Sequence, residues 1–267
     1  MKVSISVYGA NQLVPEERRT VANIIAQAAA VGFDGIDLGY FWGEDRQAEF
    51  QQARKIADDC GIQIANYICG NNFGTALAEG RGEKEIANVK QAIEEAAFFG
   101  CPALRIFAGG NNLSWEEYSP RIADAIAACL PHAEQHRVVL ALEDHGGLCR
   151  DSAQMLYYLQ KINSPFLKAN IDIGNFWRPG NELPEDGVRA TAPYAAMVHV
   201  KDYLIVNNTL VAVPTGEGLI DFPTCFRTLS RAGYTGWLSL EYECKIGDPR
   251  QGITTSLVNI RRASVGC

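Results

Sequence analysis

The chain has 267 residues, of which 24 are Lys or Arg and 31 are Asp or Glu, so its formal net charge is −7. Hydrophobic residues make up 47% of the chain, which is enough for a sizeable core, and the length predicts one or two domains. The acidic balance argues against nucleic acid or an anionic membrane surface as a partner, because both attract an excess of Lys and Arg. No apolar run approaches the roughly 20 residues that span a membrane.

The eight cysteines are scattered singly through apolar stretches, and no two of them form a C-x-x-C pair. Met1 runs directly into the strand-like segment KVSISV, which does not have the pattern of a secretory leader. We therefore expect free thiols and a reduced, cytoplasmic protein rather than disulfides or a cysteine-based zinc site.

Short apolar runs typical of buried parallel strands alternate with segments of helical period along the whole chain. The predicted strands are Lys2–Val7, Gly35–Gly39, Gln63–Ile68, Ala103–Phe107, Val138–Glu143, Leu167–Ile173, Met197–Val200 and Trp237–Glu241. The predicted helices are Glu16–Ala30, Ala48–Asp59, Glu83–Phe99, Ile122–His136, Ser152–Ile162 and Phe222–Ala232. The residues predicted to end helices are Gly32, Gly61, Gly100 and Gly233, and the predicted N-caps are Ser152, Asp221 and Asp248.

Eight strand-and-helix units in 267 residues leave about 33 residues for each unit, as one strand, one helix and two short loops require. Such alternation predicts a parallel sheet, and eight units predict its closure into a single (β/α)₈ TIM barrel spanning residues 1–267. The alternative is an open doubly wound sheet, which is weakened because no G-x-G-x-x-G follows the first strand.

Polar residues follow the last four predicted strands, at the end of a barrel where active sites lie. The segments LALEDHGG, NIDIGN, VHVKD and LSLEYE place Glu143, Asp172, His199 and Glu241 there, each directly after an apolar residue. Burying three carboxylates together is costly unless a cation neutralises them. Carboxylates and an imidazole suit Mn²⁺, Mg²⁺, Co²⁺ or Zn²⁺, so we expect one divalent metal ion, with Mn²⁺ first.

The order Glu–Asp–His–Glu on strands five to eight resembles the xylose isomerase-like TIM barrels, a family of sugar and sugar phosphate isomerases and epimerases related in fold to endonuclease IV. The segments TGEGLIDF and GYTGWLSLEYE add to this resemblance. It implies that Glu143, Asp172, His199 and Glu241 are the metal ligands. It also implies that Glu143 and Glu241 are the catalytic acid and base.

The implied activity is a metal-dependent isomerase or epimerase that removes a proton next to a carbonyl and forms an enediolate. Dehydration of the inosose dehydratase type and hydroxypyruvate isomerase-like chemistry start from the same proton abstraction, and both stay open. So does a metal- or sugar-binding barrel without turnover. A homodimer or homotetramer is common among proteins of this kind.

The substrate contacts differ from those of the free-sugar 3-epimerases in the family. Asn175 stands where those enzymes usually carry a histidine three residues after the strand-six aspartate. Cys149 replaces an expected glutamate, and the segment KDYLIVNN lacks the arginine found after the strand-seven histidine. A ketohexose 3-epimerase is therefore disfavoured.

Further candidates for substrate binding are His145, Lys201, Arg105 and Trp42, together with Asn175. His145 shares the strand parity of Glu143, and Lys201 that of His199. The structural alternatives are a rim histidine for His145, an ion-pair partner for Lys201, and rim packing or an oligomer contact for the Tyr40–Trp42 segment. Arg105 would point into the barrel on one choice of strand parity. Asp37 and the glycines of Gly216–Gly218 are weaker candidates.

A trinuclear zinc nuclease is disfavoured because the four histidines are His132, His136, His145 and His199, so none precedes residue 132. His132 and His136 lie one helical turn apart, and we expect them at a solvated helix end. The substrate is therefore expected to be a small carbohydrate.

Overall fold

The computed structural model describes residues 1–178 and 180–267. Eight parallel strands close into a barrel, which confirms the predicted (β/α)₈ fold. The eight barrel strands are β1 (Lys2–Ser6), β2 (Gly35–Leu38), β3 (Gln63–Ile68), β4 (Ala103–Phe107), β5 (Val139–Glu143), β6 (Leu167–Asp172), β7 (Ala195–Val200) and β10 (Trp237–Leu240). Between β7 and β10, the strands β8 (Asp202–Val206) and β9 (Thr209–Val213) form a separate antiparallel hairpin. Parallel pairing of β1 with β10 closes the barrel and rules out the open sheet.

Helices surround the barrel on its outside, and their apolar faces pack on the strands. The helices are α1 (Val7–Ala10), α2 (Val21–Val31), α3 (Arg46–Cys60), α4 (Phe73–Ala78), α5 (Gly82–Phe99), α6 (Trp115–Ala127), α7 (Leu130–His136), α8 (Ser152–Ile162), α9 (Pro184–Thr191), α10 (Phe222–Arg231) and α11 (Pro249–Ala263). Single 3₁₀ turns cover Asn11–Leu13, Glu16–Arg18 and Ala192–Tyr194. In the part of the chain that the structure describes, no helix combines the length and apolarity of a membrane span.

Two predicted helices differ from the structure by more than two residues at one end or both. Glu16–Ala30 does not start at Glu16: Thr20 caps the later helix α2 by accepting a hydrogen bond from the Asn23 amide. Ile122–His136 is not one helix, because Pro131 lies in the first turn of α7 and has no amide hydrogen to continue α6.

The predicted helix ends are mostly confirmed. Gly32, Gly61 and Gly100 end α2, α3 and α5 in the left-handed conformation. Asp221 and Asp248 cap α10 and α11. The prediction for Ser152 was wrong by one residue, because the Asp151 carboxylate accepts the hydrogen bond from the Gln154 amide and Ser152 is already helical.

All eight cysteines are free thiols, and six of them are buried. The six buried cysteines pack as small apolar side chains in the core. This agrees with the expectation that the cysteines form no disulfide framework.

Candidate active site

Glu143, Asp172, His199 and Glu241 come together at the carboxyl ends of neighbouring strands. Parallel pairing places Asp172 of β6 opposite His199 of β7, and Glu241 directly follows β10. Each residue presents one ligand atom, and these four atoms lie within 4.8 Å of one another. All four side chains are buried. The structure thus assembles the four side chains that the sequence resemblance grouped as ligands.

The imidazole of His199 faces the three carboxylates with its Nδ1 atom. Nδ1 lies 3.5 Å from Glu143 Oε2, 3.7 Å from Glu241 Oε1 and 4.0 Å from Asp172 Oδ2. Burial lowers the pKa of His199 to about 3. The ring is therefore neutral at physiological pH, as a metal-binding imidazole must be.

Lys201 neutralises part of this acidic cluster from within the barrel. Its Nζ atom lies 2.9 Å from Asp172 Oδ2, 2.9 Å from Glu241 Oε2 and 3.0 Å from Glu243 Oε1. Burial disfavours the ammonium, but the carboxylates outweigh it and hold the pKa of Lys201 well above its ordinary value. This candidate substrate-binding residue therefore lies among the predicted ligands as their counterion.

Glu143 and Glu241 have different electrostatic surroundings. The Oε2 atom of Glu143 accepts a hydrogen bond from Asn170 at 2.8 Å, and its Oε1 accepts one from Asn175 at 3.3 Å. Burial raises the pKa of Glu143. Burial would also raise the pKa of Glu241, but Lys201 and then His199 hold it below its ordinary value. The two carboxyl groups are thus set apart in acidity.

A cavity of about 470 Å³ opens next to the cluster at the barrel mouth. The residues that line it are Tyr8, Tyr40, Phe41, Arg105, Phe107, His145, Glu241 and Glu243. This volume is in the range of small-molecule sites, which are about 300–1,000 Å³. The aromatic walls and the adjoining carboxylates give the cavity one apolar and one charged side.

Two of the predicted substrate contacts, His145 and Arg105, line this cavity. His145 packs on Phe107 with ring centroids 4.2 Å apart, and burial lowers its pKa to about 4. The Arg105 guanidinium lies 3.9 Å from the Phe107 ring centroid and donates a hydrogen bond to Tyr40 Oη at 3.0 Å. Its Nε atom is 3.5 Å from Glu143 Oε2.

Trp42 lies outside the cavity lining. Its indole nitrogen donates a hydrogen bond to Tyr67 Oη at 3.0 Å, and its ring stacks on Phe99 and meets Phe50 edge-on. The structure therefore does not bring Trp42 to the other predicted site residues. Tyr40 and Phe41, from the same segment, form the aromatic wall instead.

Two buried aspartates support the cluster without belonging to it. Asp37 Oδ2 lies 3.9 Å from His199 Nε2, and Asp144 Oδ1 accepts a hydrogen bond from the Asp172 amide at 2.8 Å. From the sequence, Asp37 was only a weaker candidate and Asp144 had no assigned role. The available signal was an acidic residue within or directly after a buried apolar strand, since Asp37 lies in β2 and Asp144 follows β5.

A second group of potential ligands lies on the outer helices. Glu94 Oε1 is 3.0 Å from His132 Nε2, and the His132 and His136 rings are 4.6 Å apart. Glu94 is exposed and the histidines are partly exposed, as expected for a solvated helix end.

A family model described as xylose isomerase-like TIM barrel matches residues 25–263. The chain belongs to this family. One curated member, the L-ribulose-5-phosphate 3-epimerase UlaE of Escherichia fergusonii, is 32% identical over 230 residues, which are 78% of this chain and 77% of that protein.

Solved structures of xylose isomerase-like barrels show the same fold. An L-ribulose 3-epimerase is 18% identical and superposes with a TM-score of 0.79, covering 99% of this chain and 94% of that one. A xylose isomerase-like barrel from Mycobacterium smegmatis, solved in complex with magnesium, is 16% identical with a TM-score of 0.78, covering 99% and 97%.

Proposed function

We propose that the protein is a sugar epimerase or isomerase that depends on a divalent metal ion and moves a proton next to a substrate carbonyl. The observation that carries this proposal is the buried set of Glu143, Asp172, His199 and Glu241 at the edge of the cavity. The relatives support a carbohydrate substrate, because they are named for epimerisation of L-ribulose 5-phosphate and L-ribulose.

The donor set fits a divalent cation. Three carboxylates and one neutral imidazole are hard or borderline ligands, and we propose Mn²⁺, with Mg²⁺, Co²⁺ and Zn²⁺ as alternatives. Among the described residues, the three acidic ligands and Glu243 contact only two cationic side chains, Lys201 and Arg105. A divalent ion would therefore balance the charge. When bound, it would polarise the substrate carbonyl and stabilise the negative charge that develops on its oxygen.

Glu143 and Glu241 would transfer the proton. Their environments set the two carboxyl groups apart in acidity, and such pairs divide the roles of base and acid. We assign the first proton abstraction to Glu241, whose charge Lys201 and His199 stabilise, and the return of a proton to Glu143. If the proton is removed from one face of the substrate carbon and a proton is returned to the opposite face of the enediolate, the configuration of that carbon is inverted, which is epimerisation.

The remaining site residues would orient the substrate. Asn175 holds Glu143 in place through its amide, and His145 presents a neutral ring to the cavity, where it could bind a hydroxyl group. Arg105 is fixed between Tyr40 and Glu143, so its charge supports the carboxylate. The aromatic walls suit the apolar face of a sugar ring.

The proposal is tested by incubating the Mn²⁺-loaded protein in D₂O with L-ribulose, L-ribulose 5-phosphate, D-fructose, hydroxypyruvate and an inosose. Deuterium incorporation with formation of an epimer or isomer, read by NMR, is the expected result. Loss of water with a new enone absorbance would identify a dehydratase instead. Absence of exchange on every compound would contradict the proposed proton transfer.

The separate roles of Glu241 in proton removal and of Glu143 in proton return are tested with Glu143→Gln and Glu241→Gln. The amide of glutamine keeps an oxygen ligand but cannot take up or release the reacting proton. For a substrate whose proton faces Glu241, Glu241→Gln should abolish deuterium exchange. Glu143→Gln should retain exchange but form no epimer, and the pattern should reverse with the epimer as substrate. Metal content of both variants serves as the control. Identical behaviour of the two variants in both directions would refute separate roles.

A further inference from the structure

The cationic side chains at the site are both committed to its own carboxylates. Lys201 contacts Asp172, Glu241 and Glu243, and its side chain is only 4% exposed. Arg105, the one cation among the described residues that line the cavity, is 3% exposed and lies between Glu143 and Tyr40. Neither is free to pair with an anionic group on a ligand.

In the loop after β9, the Asp202 carboxylate occupies the backbone amides that a phosphate would need. Phosphate sites of TIM barrels often use backbone N–H groups of the loops after strands seven and eight. Here the Asp202 carboxylate accepts hydrogen bonds from the amides of Gly216 and Gly218, both at 2.9 Å, and from Tyr203 and Ile220. A side chain at Gly218 would meet Asp202 Oδ1 at 2.2 Å. The loop is thus built around an internal anion.

Glu243 places a negative charge where a ligand enters the cavity. Its side chain is 33% exposed, and it lines the cavity. Lys201 Nζ lies 3.0 Å from Oε1, and Tyr203 Oη donates a hydrogen bond to Oε2 at 3.2 Å. Because both oxygens are held, the carboxylate cannot easily turn away from an incoming anion.

From these contacts we infer that the substrate is an uncharged, unphosphorylated sugar, and that Glu243 excludes phosphate esters. This inference rests on the proposed function and narrows its substrate class. A phosphate ester carries about −1.5 to −2 charges at pH 7. It would approach Glu243 without a free cationic side chain among the described residues that line the cavity, and Asp202 already occupies the amides of Gly216 and Gly218 in the loop after β9. Hydroxyl groups and the apolar faces of a neutral sugar match the aromatic walls and His145.

Calorimetric titration of the Mn²⁺-loaded protein tests the inference independently of turnover. The titrants are L-ribulose and L-ribulose 5-phosphate, and D-fructose and D-fructose 6-phosphate as a second pair. The proteins are the wild type, Glu243→Gln, and Glu217→Gln as the control, since Glu217 is an exposed acid outside the cavity lining. Wild-type protein and the control should bind each ester at least about tenfold more weakly than the corresponding ketose. Glu243→Gln should bind the esters at least about tenfold more tightly than the wild type does, because a like charge has been removed.

Binding of an ester to the wild type as tight as that of its ketose would overturn the inference. Failure of Glu243→Gln to gain ester binding would overturn the role given to Glu243. Deuterium exchange measured beside the titration keeps the two proposals distinct. A protein that exchanges no ketose, yet gains ester binding only in Glu243→Gln, would fail the proposed function while supporting the exclusion of phosphate esters by Glu243.

Discussion

Asp37 Oδ2 lies 3.9 Å from His199 Nε2, behind the imidazole whose Nδ1 atom faces the three carboxylates proposed as metal ligands. Both side chains are fully buried, and neither atom has a hydrogen-bond partner in the described chain. Asn66 holds the other carboxylate oxygen at 3.3 Å. Carboxylates behind metal-binding histidines commonly fix the tautomer and the ring orientation. Asp37 is placed for this positioning role.

Replacement of Asp37 by Asn should therefore weaken metal binding without removing a ligand. The affinity for Mn²⁺ is expected to fall about 10- to 100-fold, the usual effect of losing such a support. Calorimetric titration of the metal-free protein measures it. Asp34→Asn is the control, because Asp34 is partly exposed and pairs with Arg261 outside the barrel. Wild-type affinity in Asp37→Asn would show that His199 needs no support from this carboxylate.

Lys201 should stabilise the metal-free protein more than the metal-bound one. In Lys201→Met, three carboxylates lose a buried counterion, and breaking such a pair costs about 3–5 kcal/mol of unfolding free energy. A bound divalent ion replaces part of the lost charge, so the deficit should shrink when Mn²⁺ is added.

Denaturant unfolding with and without Mn²⁺ measures this difference. Lys245→Met is the matched control, because Lys245 is exposed on the segment that follows Glu243. Its effect should stay within about 0.5 kcal/mol. An equal loss of stability in Lys201→Met with and without metal would contradict the counterion role.

Metal affinity should rise with pH and binding should release protons. Burial raises the pKa of Glu143 to about 8 and that of Asp172 to about 7, whereas a cation binds an ionised carboxylate more tightly than a protonated one. Below these values the ion competes with protons for the two carboxyl groups, so affinity falls as the pH is lowered from about 8.

Titrations in buffers of different ionisation enthalpy report the number of protons released. Glu143→Gln should release fewer protons than the wild type, since its amide carries no acidic proton. A metal affinity that does not change as the pH is lowered from about 8 would contradict the prediction that burial raises the pKa of Glu143 and of Asp172.

The barrel was predictable because its signals are local. Apolar runs, glycines at helix ends and aspartate caps recur along the chain, about once in each strand-and-helix unit. The strands Gln63–Ile68 and Ala103–Phe107 have the predicted limits. The break between α6 and α7 was also readable from Pro131. The hairpin of β8 and β9 was missed, because its residues continue directly from Lys201 without a turn signal before Asn207.

The site was predictable only in part, because contacts across the barrel are not local. The positions at the strand ends and the family resemblance predicted that Glu143, Asp172 and Glu241 would lie together with His199. No pattern showed that Lys201 would meet three carboxylates from two other strands, or that Asp37 would lie behind His199. Trp42 and Tyr40 are two residues apart, yet one packs on α3 and α5 and the other lines the cavity.

His145 is expected to bind substrate as a neutral ring rather than to transfer the reacting proton. Burial lowers its pKa to about 4, so it is uncharged at neutral pH, and its packing on Phe107 leaves it lining the cavity. One neutral hydrogen bond is worth about 0.5–1.5 kcal/mol, so His145→Ala should reduce kcat/KM by about tenfold or less. Deuterium exchange should persist, because Glu143 and Glu241 remain. His136→Ala, on the outer face of α7, should leave kcat/KM unchanged. A thousandfold loss with no exchange would instead make His145 an acid or base of the reaction, since such losses accompany removal of a proton-transfer group.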